Sequence, residues 1–465
     1  MSTDCLQELE NALGRAAIVH DEDRAQYDVD WRGHLHGRSL AVVCPSRVED
    51  VGETIRIAKR HQVSVVPQGG NTGLAGGATP DSTGGQLVLC TRRLNRIRGI
   101  DLLGNFITVD AGCILQNVQD AALSHDRLFP LSLAAQGSCT IGGNLATNAG
   151  GNAVLRYGNM RELCVGIEAV DAHGRLIGDL KCLRKNNTGY SLRDLLIGSE
   201  GTLGIITGAA LRLFPRPFAH ATALVKCANI EHALQLLGVL RAHCADFLSG
   251  VEWMSNGSLS NVSTQFPDTR MPPGFDESCL CLVELSGSTP PGLLDDILAS
   301  ALDQAIASGF AADAALASSL AERDAFWTLR ERLPLAEARC RSLKHDVSLP
   351  AGNMGEFVAH LEGYLSSMTE RCAWAGFGHL GDGNLHANVL IPDAMPNALC
   401  DRIDEFVYGE VLRLGGSISA EHGIGSRKNN LLHQALDVAS LQAMQAVKNA
   451  LDPHNLFNPG KLLFN

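Results

Sequence analysis

A chain of 465 residues is longer than the roughly 250–300 residues that a single hydrophobic core fills, so at least two domains are predicted. With 45% hydrophobic and 19% charged residues, the composition excludes a mostly disordered chain. A net charge of −12, from 38 basic and 50 acidic residues, argues against nucleic acid or an anionic membrane surface as a partner and favours small molecules.

The first residues, "MSTDCLQELENALG", are acidic and amphipathic, without the basic-then-apolar order of a signal peptide. No apolar run reaches the roughly 18 residues that a membrane span needs. Fourteen cysteines are dispersed without a CxxC pair, as in a reducing compartment, so a cytoplasmic location is expected. Residues 40–66 then read as strand ("LAVVCP"), helix ("SRVEDVGETIRIAKRHQ") and strand ("VSVVP"), a βαβ unit. Ser46 and Glu49 stand at capping-box spacing for the helix start. The loop after the second strand, "PQGGNTGLAGGATP" (67–80), carries five glycines between Gly69 and Gly77, at the carboxyl end of a strand where α/β folds bind ligands.

The next segment, "GGQLVLCTRRLNRI", reads as strand, so a Rossmann fingerprint with a helix opening after the glycines does not fit, and there is no GxxxxGK[ST]. Anion binding in this loop would fall to successive backbone N–H groups. Two further glycine-rich segments follow, "PLSLAAQGSCTIGGNLATNAGGNAVLRYG" (130–158) and "LIGSEGTLGIITGAALRLFP" (196–215). Three such segments in the first 215 residues point to one elongated ligand threaded through one domain. "PRP" at 215–217 marks the boundary. Beyond it, β-like runs alternate with amphipathic helices, which predicts an α+β domain with a sheet covered by helices.

In "GHLGDGNLHANVL" (378–390), a hairpin with GDGN as its four-residue loop would set His379 opposite His386, close enough to share a metal. "GGSISAEHGIGSRK" (415–428) adds Glu421 and His422. His, His and Glu match a zinc site with three protein ligands and an open position. A lone histidine is more often a packed or solvated residue, but the glycine-framed cluster beside a Glu-His pair favours the metal. His422 need not be a ligand and suits a general base. In "FWTLRERLPLAEARCRSLKHDVSLP" (326–350), Arg330, Arg332, Arg339, Arg341 and Lys344 make a basic patch. Glu331 and Glu337 account for most of these charges as partners on a solvated helix face, leaving one or two for a carboxylate ligand.

Taken in order, "PQGGNTGLAGG", "TIGGNLATNAGG", "GSEGTLGIIT", "GHLGDGNLH", "SAEHGIG" and "FNPGKLL" resemble the FAD-linked dehydrogenases of the vanillyl-alcohol-oxidase superfamily. They are most similar to the D-2-hydroxyglutarate and D-lactate dehydrogenase branch. The resemblance runs from about Leu40 to Asn465. It implies a two-lobed α+β FAD-binding domain (1–217), an α+β cap domain with an antiparallel sheet (218–420), and a tail (421–465) that returns to the flavin. It also implies that Pro67, Gly69, Gly70, Asn71, Thr72 and Gly73 wrap the pyrophosphate. Pro130, Leu131, Ser138, Ile141, Gly142, Gly143, Asn148 and Gly151 would line the flavin's path, with Glu200, Ile206 and Asn458 completing it. Related flavoenzymes attach FAD through a histidine near the first loop; Asn71 stands in a loop without one, so non-covalent FAD is expected.

The same resemblance assigns zinc, or a similar divalent ion, to His379, His386 and Glu421. It makes His422 both the base and a substrate contact, Arg330 and Lys344 the carboxylate grip, and Asn388 a further substrate contact. The implied reaction is oxidation of a D-2-hydroxy acid of the lactate, malate, 2-hydroxyglutarate or mandelate type, with electrons passed to an electron-transfer flavoprotein, a quinone or a cytochrome. An oxidase using oxygen directly and a non-catalytic flavin- or metal-binding protein are the alternatives, and a homodimer is compatible with the sequence. One departure stands out. The 2-hydroxyglutarate members carry a threonine four residues after the arginine, where this chain has Pro334, and the interval to Lys344 is one residue shorter. Specificity for a five-carbon diacid therefore does not follow.

Overall fold

The computed structural model describes residues 2–19, 21–276 and 278–463. The chain divides into two units. The first comprises Met1–Gly150, Gly158–Arg216 and Glu421–Asn465, and the second Gly151–Tyr157 and Pro217–Ala420. The excursion over 151–157 carries no compositional signal in the sequence.

Among the described residues, the first unit holds a three-stranded parallel sheet, a five-stranded antiparallel sheet and a short pairing of Arg127–Leu128 with Phe214–Pro215. In the parallel one the order is Ser39–Val43, Gln86–Cys90, Val65–Gln68, so the third strand lies between the first two. The expected βαβ unit is present, but its strands are not neighbours: the buried run Gln86–Cys90 takes the central place, apolar on both faces. The helix between them, Val48–Arg60, begins after Arg47 and not on a Ser46 capping box. Glu49 and Asp50 in its first turn meet the positive end of the helix dipole instead, and Arg47 pairs with Asp50. The second sheet is antiparallel, in the order Ile97–Asp101, Phe106–Asp110, Ile205–Arg212, Cys164–Val170, Leu176–Asp179.

The tail returns to the first sheet. Val65 N–H donates to Leu456 O at 2.7 Å, and Asn458 N–H donates to Val65 O at 2.8 Å, while Phe457 joins the buried core around Val65 and Leu87. Lys448, on the helix Val438–Leu451, is buried and donates to Asp452 and to the carbonyls of Thr202 and Phe457.

The second unit holds a seven-stranded antiparallel sheet: Asp313–Leu316, Ala219–Cys227, Cys279–Gly287, Leu248–Met254, Phe377–His379, Asn384–His386, Asp346–Ser348. Side chains alternate between its faces. Val225, Val251, Trp253, Cys281 and Val283 join the core with the helices Ile230–Cys244, Leu293–Ala307 and Met354–Ser366. Leu224, Met254, Leu280 and Leu282 join another, with the helices Asn256–Gln265 and Leu320–Glu337. That second face carries Glu252 between Val251 and Trp253. All fourteen cysteines are free and most are buried core fillers.

Replacing Lys448 by Met strands the buried Asp452 carboxylate. We expect a loss of about 3–5 kcal/mol, read as a lower urea midpoint, with Lys448→Met/Asp452→Asn recovering part of it.

Candidate functional site

The first unit contains a cleft of about 910 Å³, open solvent at its mouth included, lined by residues of all three glycine-rich segments and by His422. The turn 69–73 lines it throughout. Asn71 has a left-handed backbone (φ 55°) and its amide side chain donates to Val29 O at 2.9 Å, so this residue braces the loop. Arg92 Nε and Nη2 donate to the carbonyls of Gly69 and Gly70 at 3.1 and 3.2 Å. Among the described residues, the N–H groups of Gly70 to Gly73 donate no hydrogen bond. Glycine is required at Gly70 by close approach, since a Cβ there would collide with the Ser138 carbonyl. Thr140, which lines the cleft and is 1% exposed, has no partner for its Oγ1. Bare amides, glycine walls and an orphaned hydroxyl fit a ligand rich in oxygen acceptors, as a dinucleotide is.

Pro67, Gly69, Gly70, Asn71, Thr72, Gly73, Gly142, Gly143, Glu200 and Ile206 line the cleft. The lining does not include the other expected cofactor residues, though Ser138 O lies against Gly70. Pro130 and Leu131 are buried, and Leu131 O accepts from Gln119. Ile141 is buried at the start of the short helix Ile141–Ala146, and Asn148 Oδ1 accepts Arg161 N–H. Gly151 opens the excursion into the second unit. Asn458 Nδ2 donates to the carbonyls of Gly77 and Glu200 at 2.8 and 2.9 Å. Sequence reasoning missed Gln68, Thr91, Thr140, Asn144 and Thr147, ordinary polar residues whose neighbours alone mark them.

Glu200 reaches the tail. Its Oε1 and Oε2 accept the N–H groups of Ile424 and Gly425 at 2.8 and 2.7 Å, two and three residues after His422. Burial pushes its carboxyl above the ordinary range, opposed by these two amides and by Lys428 and Lys461. Burial likewise lowers Lys461 to about 8, while its Nζ donates to the carbonyls of Gly76 and Thr79.

In the second unit the hairpin register differs from expectation. Phe377 pairs with His386, which sets Asn384 opposite His379. The loop is Leu380–Gly383, closed by Asp382 N–H donating to His379 O and by the left-handed Gly383 (φ 84°). Because strand side chains repeat every two residues, the histidines still share a face as diagonal neighbours, with ring centroids 5.8 Å apart. Glu252 lies directly across from His379 on the adjacent strand. Its Oε1 is 2.6 Å from His379 Nδ1 and its Oε2 accepts Arg330 Nε at 2.7 Å. Burial alone would raise the Glu252 pKa, but His379 and Arg330 together hold it at about 2.

Arg330 is buried with its guanidinium 4.9 Å from the Phe377 ring centre. Apart from the bond to Glu252 it makes no hydrogen bond among the described residues, so Nη1 and Nη2 remain available to a carboxylate. Lys344 pairs with the buried Glu337 at 3.3 Å. Asn388 Oδ1 accepts His345 N–H at 3.3 Å, and His345 is held in turn by Ala387 O and Asp404. Pro334 sits inside the helix Leu320–Glu337, one turn beyond Arg330, and supplies no hydroxyl there. Residues 417–420 run beside the strand Asp346–Ser348, with Ser417 and Ser348 exchanging hydrogen bonds and Ala420 N–H donating to Asp346 O. Asp346 pairs with His386, and Glu421 is the next residue in the chain after Ala420.

Residues 39–178 match the family described as FAD binding domain, and residues 216–462 the family described as FAD linked oxidases, C-terminal domain. The chain is 35% identical over 464 residues to the mitochondrial D-2-hydroxyglutarate dehydrogenase of Bos taurus, covering 100% of this chain and 84% of that one. It is 36% identical to the D-2-hydroxyglutarate dehydrogenase of Xanthomonas citri pv. viticola, over 95% of this chain and 92% of that one. A solved structure of p-cresol methylhydroxylase with substrate bound superposes with a TM-score of 0.77 at 14% identity, over 99% of this chain and 96% of that one, and shows the shared fold.

Two outcomes follow from the cleft. Gly70→Ala should purify with little flavin, measured as the ratio of flavin to protein absorbance, whereas a near-normal ratio would show that the turn tolerates a side chain. Lys461 has its pKa lowered on folding, so from about pH 8 to 10.5 the folded state has released a proton that the unfolded state still holds. Stability relative to Lys461→Met should therefore rise with pH across that window, measured by denaturant midpoints.

Proposed function

This chain belongs to the D-2-hydroxyglutarate dehydrogenase family of FAD-linked oxidases, and from that premise we propose that it oxidises a D-2-hydroxy acid to the 2-oxo acid. The observation that carries the reading is that His422 lines the same cleft as the bare amides of the 69–73 turn. The cleft thus holds the base we propose together with the amides proposed to take the dinucleotide.

FAD bound in the cleft would supply the acceptor for the hydride leaving C2, and a divalent metal would lower the pKa of the C2 hydroxyl. His379, His386 and Glu421 are the residues proposed to hold that metal. Two imidazoles on one face of the sheet supply nitrogen ligands, and the hydrogen bonds of 417–420 to the strand beside His386 bring the chain to Glu421. His422 takes the hydroxyl proton. Arg330 holds the substrate carboxylate through Nη1 and Nη2, a task for which its plane is fixed on Phe377. Lys344 and Asn388 contribute as secondary contacts. The pairing of Lys344 with Glu337 leaves Arg330 the principal grip.

The carboxylate so recognised is the one common to all 2-hydroxy acids, and Pro334 offers no donor for a second. We therefore propose a substrate range wider than 2-hydroxyglutarate, with a separate carrier accepting the electrons. Anaerobic mixing with the D- and L-enantiomers of lactate, malate, 2-hydroxyglutarate and mandelate should bleach the flavin with D-enantiomers only; no bleaching by any of them would refute the proposal. His422→Ala should keep its flavin yet reduce it at least 100-fold more slowly, a loss typical of removing a general base. Prior chelation should slow wild-type reduction, with Zn²⁺ restoring it.

A further inference from the structure

We propose that Glu252 is a positioning residue serving both halves of the substrate site, fixing which ring nitrogen His379 offers a metal and aiming the Arg330 guanidinium. The proposal rests on the roles given above to His379 and Arg330. It concerns a residue 127 positions from His379 and 78 from Arg330, on a strand with no recognisable motif.

The argument is one of hydrogen-bond inventory. Glu252 is 1% exposed, and each of its oxygens is committed to a different partner. An ionised carboxylate only accepts, so the 2.6 Å contact requires the proton of His379 on Nδ1. The lone pair for coordination is then on Nε2, the arrangement in which carboxylates orient metal-bound histidines. The other oxygen takes Arg330 through Nε at 2.7 Å, which leaves both Nη groups without a hydrogen bond among the described residues. With Phe377 beside the guanidinium, the plane as well as the direction of the fork is set. Glu252 and His379 are cross-strand partners, so sheet hydrogen bonding holds the tie rigid.

Glutamine cannot reproduce this. Its single carbonyl accepts from one partner, while its NH₂ faces the donor of the other. Glu252→Gln must therefore release the His379 tautomer or the Arg330 fork. Competition against a chromophoric chelator should show Zn²⁺ binding weakened by about 10–100-fold, with flavin content close to wild type. Histidine ¹⁵N spectra of the metal-free proteins should place the His379 proton on Nδ1 in wild type and move it toward Nε2 in the variant. KM for the D-2-hydroxy acid should rise as the fork is released. Unchanged Zn²⁺ affinity together with an unchanged tautomer in folded Glu252→Gln would overturn the proposal. If wild type binds no Zn²⁺, the metal reading fails, and the tautomer comparison on metal-free protein still decides the role of Glu252. If Glu252→Gln does not fold, Glu252→Gln/Arg330→Met removes the stranded charge and permits the same tautomer measurement.

Discussion

The cleft of the first unit depends on a buried carboxylate that bonds across more than two hundred residues of sequence. Glu200 accepts the amides of Ile424 and Gly425, and its own carbonyl accepts Asn458. Its backbone is left-handed (φ 52°), a conformation that costs a non-glycine residue roughly 1–2 kcal/mol. The carboxylate must point at the tail for the turn after His422 to hold, and the surrounding hydrogen bonds sustain the strain. Where His422 stands is thus decided by a residue of the third glycine-rich segment.

The second unit solves a related problem with charge. A sheet covered by helices on both sides has room for an ionised group only where its partners are already present. Alternation along Leu248–Met254 turns Glu252 toward the helix that carries Arg330, and antiparallel pairing sets His379 opposite. One carboxylate thereby answers one guanidinium and one imidazole N–H. In the first unit the ionisable group that organises the site, Glu200, sits within a glycine-rich segment, whereas that of the second, Glu252, lies on a strand outside every motif.

These features explain what the sequence disclosed. Motifs that act through their own backbone were legible: 69–73 is a glycine turn because bare amides must be presented, and a chain segment announces that locally. The shared face of His379 and His386 was legible for a similar reason, since either register of the hairpin leaves them on one side of the sheet. The register was not, because Asp382 and Gly383 close a loop starting one residue earlier than GDGN suggested. Nor was the central place of Gln86–Cys90, since a buried apolar strand does not say which neighbours it separates. Glu252 and Arg92 left no trace, because each matters through a partner distant in sequence.

The return of the tail to the strand Val65–Gln68 bears on how the protein is made. Val65 receives its edge partner from Leu456 and Asn458, and Glu200 receives its amides from Ile424 and Gly425, after every residue of the second unit has been synthesised. On the ribosome, the first 216 residues emerge with one sheet edge uncovered and a carboxylate unsatisfied. The second unit can fold during that interval, being inserted in sequence between parts of the first. Cofactor capture then follows synthesis of the second unit, since His422 joins the lining of the cleft only after residue 420 has been added.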